Sequence, residues 1–306
     1  EAGSVYPCTK DESGIWNALV SEYLTDKWYC YHISKNGESE KAADPWSTFV
    51  TTRNHHLQFP KTKMIRSKEF DWQNDDFIKV EDPRDLIIYE THIKDMVAHS
   101  SARTYVQGIY NDFKEAEVGG IAHLKRLGVN AVEFLPLQKF AYFEPPFNEQ
   151  TKKGIKNTWN SYSRNYWGYM TSFFHAPETI YASDASLSED EVVGQSDKAI
   201  SELKSLVKEL HKNDIAVIMD VVYNHASHYD QNPLKILARE HYFKLDEKGN
   251  FINNSWTGND IDTSSEHSRK LIIESVLHWI REYHIDGFRF DLAGIIDWET
   301  IDMIKQ

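Results

Sequence analysis

AVIMDVVYNH (216–225) and IDGFRFDLAG (285–294) are the two stretches whose reading decides the fold. Each is a largely apolar run that ends abruptly in polar groups. The first leads into Asp220, Asn224 and His225, and the second carries Arg289 and Asp291. A buried strand that releases charged side chains only toward its C-terminal end is how a parallel β/α barrel presents reactive groups. Strand alternation also places Arg289 and Asp291, two residues apart, on one face.

Moving outward from these runs, strands alternate with helices from Leu86 onward. LIIYETHI (86–93) reads as a strand, and VGGIAHLKRLG (118–128) as a helix with Val118, Ile121, Leu124 and Leu127 on one face, stopped by Gly128. VNAVEFLPL (129–137) is the second strand. The helix over 196–213 sets Ile200, Leu203, Leu206, Val207 and Leu210 in one stripe, with Ser196 at its N-cap. IAVIMDVV (215–222), a helix over 268–284 and IDGFRFDLA (285–293) complete the pattern. Such alternation implies a parallel sheet with right-handed crossovers, either open or closed into a barrel.

Residues 1–80 differ. YLTDKWYCYHI (23–33) has strand composition, NGE (36–38) a turn, and DPW (44–46) ends the element. The expected organisation is a β-rich segment over 1–80 and an α/β domain over 81–306, with 61–76 as connector. The insertion 138–195 is rich in aromatic and polar residues and reads as a long functional loop at the catalytic face.

The chain has 306 residues, 41% of them hydrophobic, enough to bury a core within about two domains. Its net charge of −13 argues against a nucleic acid or an anionic membrane as partner and suits a neutral ligand. With 9 Trp and 16 Tyr, stacking on flat ligand faces competes with plain core filling. No apolar stretch approaches the ~20 residues of a membrane span. Cys8 and Cys30 make no metal motif; they pair in an oxidising compartment or stand as free thiols. The compartment stays open.

Asp291 beside Arg289 reads as a carboxylate kept charged by a guanidinium, hence a nucleophile; the bland alternative is a structural ion pair. Asp220, Asn224 and His225 suit either a metal or sugar-hydroxyl hydrogen bonding. His55 and His56 read as surface residues.

DVVYNH and GFRFD resemble the first and second signature regions of the α-amylase superfamily, glycoside hydrolase family 13. YWGY (166–169), ahead of FFHAPE and YAS, resembles a loop of its pullulanase, isoamylase and glycogen-debranching branch, and 240–294 is similar to that branch almost throughout. Residues 86–306 carry the resemblance. More weakly, 1–80 resembles the end of a carbohydrate-binding β-sandwich.

The resemblance implies a (β/α)8 TIM barrel, about half of it present, and a retaining hydrolase of α-glucans. Cleavage of α-1,6 bonds is the leading expectation. Action on α-1,4 bonds, branching-type transfer and a non-catalytic binding barrel are the alternatives. It implies Asp291 as nucleophile, Arg289 as its orienting cation, His225 on the sugar hydroxyls and Tyr169 stacked on the sugar, with Trp167 also binding substrate. Asp220 would support Arg289 and Asp291. No cofactor is required by the resemblance, and Asn224 matches a calcium ligand of many α-amylases, which makes calcium the metal to look for. The general-acid glutamate follows the fifth strand in that family and is not expected within these residues; Glu299 stands too close to the fourth strand to replace it. Retaining glycosidases need both carboxyl groups. The 306-residue chain alone is therefore expected to be inactive, and an assay detecting ordinary α-glucan turnover by it would contradict this.

Overall fold

The computed structural model describes residues 3–35, 37–51, 60–65, 69–102, 108–141, 150–151, 154–155, 167–185, 197–227 and 232–305. Four parallel strands form its central sheet: β1 (Ile88–Thr91), β2 (Ala131–Phe134), β3 (Ala216–Val221) and β4 (Gly287–Phe290). They lie side by side in chain order, paired β1 to β2, β2 to β3 and β3 to β4. In an order that never reverses, every crossover advances by one strand, as in a barrel rather than a doubly wound sheet.

All four strands are shorter than their apolar runs. LIIYETHI ends as a strand at Thr91 because His92 turns to cap the helix Ile93–Val97, its Nδ1 accepting from the amides of Lys94 (3.1 Å) and Asp95 (3.3 Å). Burial holds the His92 imidazole down at about 4, so the ring stays neutral and able to accept. The helix expected over 118–128 begins only at Gly120. Val118 lies outside it and is exposed, as is Leu127, so the buried face reduces to Ile121 and Leu124. Gly128 does end this helix, α1 (Gly120–Leu127), adopting φ +73° so that its amide reaches the carbonyls of Leu124 and Lys125.

The next helix, α2 (Lys198–His211), buries Leu203, Leu206, Val207 and Leu210, with Ile200 half-buried and Asp197 at the N-cap. α3 (Glu266–Tyr283) is capped by Ser265, whose Oγ accepts from the Ser268 amide. These helices cover one sheet face, where Val132, Phe134, Val217, Met219 and Val221 are buried. The other face carries Glu90, Glu133, Ile218 and Arg289, none fully buried. The strands are thus not apolar on both faces, and this second face also carries Asp220, which is buried.

The insertion 138–195 is not a structureless loop. Its described residues include an antiparallel pair, Gln138–Phe140 with Thr171–Pro177, and both strands are buried throughout. FFHAP therefore packs into the core rather than lining a surface. The Phe174 carbonyl accepts from Ser275 Oγ (2.6 Å), Trp279 Nε1 (2.8 Å) and Gln138 Nε2 (3.0 Å), fastening this pair to α3.

The described residues of the first eighty form three separate two-stranded antiparallel pieces. Tyr31–Lys35 pairs antiparallel with Glu38–Ala42, Lys35 opposite Glu38, and Asn36 of the expected turn lies outside the described residues. Asp44 of DPW accepts from the Trp46 amide and from the Tyr29 hydroxyl. Cys8 and Cys30 are unpaired. His55, His56, Tyr166 and Ser196 lie outside the described residues.

A polar clamp holds the connector beneath the sheet, at the strands' N-terminal ends. His211 places Nδ1 3.1 Å from both Asp75 oxygens and Nε2 2.9 Å from Asp286 Oδ2. Asp286 also accepts from the amides of Val217 and Ile78, and Asp75 from His284 Nδ1. Burial pushes the His211 pKa down, but the two carboxyl groups outweigh it and the net shift is upward. A raised folded-state pKa gives stabilisation that is complete below about pH 6.5 and lost as pH climbs through the folded value. His211→Gln should lower stability by about 3–5 kcal/mol at pH 6, since two buried carboxyl groups lose their cation. Urea midpoints between pH 6 and 9 should fall for the wild type and lack this limb in the variant.

Candidate active site

At the C-terminal ends of β3 and β4 the register sets Asp220 opposite Arg289. Arg289 Nη1 donates to Asp220 Oδ1 and Oδ2 at 3.0 and 3.1 Å and to Asp291 Oδ1 at 2.8 Å. One guanidinium thus bridges carboxyl groups from adjacent strands. The arrangement follows from two local features. Parallel pairing aligns positions 220 and 289, and the two-residue repeat brings 291 back to the face of 289. Leu292 then leaves the strand direction at φ +44°.

The surroundings of the two acids differ. The Asp220 side chain is 3% exposed and that of Asp291 17%. Burial raises the Asp220 pKa, while hydrogen bonds from Tyr169 and Arg289 pull it back part of the way. For Arg289 burial acts downward, but the bonds to Asp220 and Asp291 prevail and its pKa is raised.

Tyr169 reaches the site because Gly168 precedes it. Gly168 has φ +89°, and a Cβ there would lie 3.0 Å from Pro136 Cβ and 3.2 Å from Phe140 Cδ1. Only glycine lets the chain pass so closely over the end of β2 in that conformation. The Tyr169 hydroxyl then donates to Asp220 Oδ2 at 2.6 Å. Burial and this bond together raise the phenol pKa.

Asn224 and His225 complete the constellation. Asn224 Nδ2 donates to the Asp291 carbonyl (2.8 Å) and to Asp291 Oδ2 (3.2 Å). Its Oδ1 faces His225 Nδ1 at 2.5 Å, and His225 Nε2 lies 2.8 Å from the Tyr169 carbonyl. Burial is the largest influence on His225 and lowers its pKa, against the upward pull of the Tyr169 carbonyl and Asp291.

The structure therefore brings Asp220, Arg289, Asp291, Tyr169, Asn224 and His225 together. Trp167 stands apart as an exposed residue two positions before Tyr169. The expectation of Asn224 as a calcium ligand needs correcting: its amide oxygen is turned to His225 and its nitrogen to Asp291, so the residue does not fit a cation. Among the described residues no three or more His, Cys, Asp or Glu side chains form a group that could hold a metal. Asp220 and His225 likewise point to Tyr169 and other site residues rather than to a shared ion. Glu299 accepts from Arg269 at 2.8 Å and belongs to an outer ion pair.

Glu133 escaped the sequence reading. It pairs in register with Glu90 and Ile218 on the polar sheet face, and its pKa is raised by burial first, then by Asp220 and Glu90. Its signal in the sequence is a lone acid inside the apolar run VNAVEFLPL.

Residues 169–303 match the family model described as the α-amylase catalytic domain. Over its whole length the chain is 30% identical to a pullulanase of Bacillus subtilis, of which it covers 40%. Over 92% of its length it is 36% identical to chloroplastic isoamylase 1 of Arabidopsis thaliana, covering 37% of that protein. The crystal structure of a Paenibacillus barengoltzii pullulanase in complex with maltohexaose and α-cyclodextrin superposes with a TM-score of 0.78 at 30% identity, over 97% of this chain and 44% of that one. The chain spans about two fifths of the length of these relatives.

Tyr169→Phe should raise the Asp220 pKa further, because it deletes a bond to the charged form. The expected loss of stability is about 1.5–3 kcal/mol at neutral pH. Carboxyl-carbon NMR titration and urea denaturation read the two effects.

Proposed function

From a chain that resembles pullulanase, isoamylase and the glycogen-debranching branch of the α-amylase superfamily, we propose a retaining glycoside hydrolase that cleaves α-1,6 bonds in branched α-glucans. The observation that carries the proposal is the single Arg289 guanidinium shared by Asp220 and Asp291 at the strand ends. The four ordered parallel strands are read as the first half of a (β/α)8 barrel, residues 81–306, and the pieces within 1–80 as the end of a carbohydrate-binding β-sandwich.

In this reading Asp291 attacks the anomeric carbon while the bond to the leaving sugar oxygen breaks, giving a glycosyl ester. Water then attacks the same carbon and releases the carboxylate. Arg289 fixes the orientation of Asp291 through Oδ1, and Asn224 does so through Oδ2. Asp220, buried and bonded to Tyr169, anchors the same Nη1 that meets Asp291. His225, whose ring nitrogens face Asn224 and the Tyr169 carbonyl, reaches a sugar hydroxyl by exchanging the Nε2 contact, and the Tyr169 ring stacks on the sugar, with Trp167 at the rim. The acid that protonates the leaving oxygen is assigned to a glutamate after the next strand, outside these residues. The substrate is an α-glucan oligosaccharide or polysaccharide. No step calls on a metal.

In the full-length protein Asp291→Asn should reduce kcat by about 10⁴-fold or more while sugar binding persists. Retained turnover would remove Asp291 from the reaction. Product analysis on pullulan and on linear maltooligosaccharides identifies the bond, with maltotriose from pullulan as the expected result.

A further inference from the structure

One aromatic side chain on the loop that follows β3 is not packed against any of the described residues. Trp256 is 91% exposed, and its backbone sits at φ +65°, a conformation that side chains other than glycine rarely adopt. A large apolar residue that is neither packed nor relaxed contributes nothing to the core, and strain of this kind points toward function.

The loop that carries it is built and not slack. Both Asp260 oxygens accept at 2.9 Å, from the amides of Asn254 and Ser255. Ser255 Oγ donates to the Asn259 carbonyl at 2.9 Å, and Asn253 Oδ1 accepts from the Gly258 amide at 2.8 Å. Trp256 is thus held at the tip of a turn closed on both sides.

That turn is bolted to the catalytic segment. Asn259, fully buried, accepts from the Ala226 amide at 3.0 Å and donates to the Ala226 carbonyl at 2.8 Å. The Ile261 amide donates to the Asn224 carbonyl at 2.9 Å. Residues 224–226 include both Asn224, bonded to Asp291, and His225. Trp256 lies three residues from Asn259, a reach of at most about 11 Å. The loop also directly precedes α3, so it stands at the face where the strands end.

We propose that Trp256 is a stacking platform for a glucosyl unit flanking the one held at Asp291, and so a determinant of affinity for extended or branched α-glucans. The flat, apolar face of a pyranose suits an indole ring, and the exposed Asn253 and Asn254 offer polar groups beside it. The inference rests on the proposed function and adds a sugar contact that neither signature region contains.

The test compares wild type, Trp256→Gly and Trp256→Phe in the full-length protein. Gly relaxes the φ +65° position, and Phe keeps an aromatic face. KM for a branched glucan should rise about three- to tenfold in Trp256→Gly and recover most of the way in Trp256→Phe. The melting temperature of Trp256→Gly should be equal to or above that of the wild type. Wild-type turnover with the same KM in all three proteins overturns the inference and leaves the proposed function standing. A lowered melting temperature with unmoved KM also overturns it, showing that the ring packs against protein. Absence of wild-type turnover overturns the proposed function and the inference with it.

Discussion

The site depends on one guanidinium serving two carboxyl groups. Arg289 is only half enclosed, with 44% of its side chain exposed, yet its Nη1 meets Asp220 from β3 and Asp291 from beyond β4. Two carboxylates this close repel each other, and the cation between them offsets that repulsion. The backbone contribution is equally specific. Parallel pairing of β3 with β4 puts Asp220 level with Arg289, so a one-residue slip in register would turn one partner to the helix-covered face. Catalytic geometry and sheet register are therefore the same constraint.

Around that bridge the remaining groups form a chain of satisfied contacts. Tyr169 closes over Asp220, Asn224 ties Asp291 to the turn after β3, and His225 ties Asn224 back to the Tyr169 carbonyl. They come from three places in the fold: Asp220 from a strand, Asn224 and His225 from the turn after it, and Tyr169 from the chain just before the buried strand Thr171–Pro177. Rotamers locked by such mutual bonding hold reacting groups in place with little reorganisation. The same bonding explains why Asn224 is unavailable to a cation.

Much of this was legible in the sequence because the signals were local. Abrupt polar endings of AVIMDVVYNH and IDGFRFDLAG placed Asp220, Asn224, His225, Arg289 and Asp291 at strand ends, where the structure has them. Helix stripes at 203–210 held for the same reason, since the 3.6-residue period survives whatever the helix packs against. Errors arose where the deciding partner was distant in sequence. Val118 fitted a helical face, but the chain there must first turn through Gly119 and Gly120, where a Cβ would strike the Met96 and Phe113 carbonyls. FFHAP looked like loop because its neighbours are polar, whereas Ser275 and Trp279, some hundred residues on, bury it. The role of Asn224 turned on a contact with Asp291 that no spacing rule encodes.

The clamp beneath the sheet has a consequence for how the molecule is assembled. Ile78 reaches its acceptor on Asp286 across 208 positions of chain, and Asp75 reaches His284 across 209. At ordinary ribosomal speeds of about 5–20 residues per second, the connector waits roughly 10–40 seconds before its anchor exists. Through that interval Trp72, which ends up stacked 3.8 Å from the His284 ring, has no such surface to cover. Nascent chains of this protein thus pass through a window in which the connector is made but its partners at Asp286 and His284 are not.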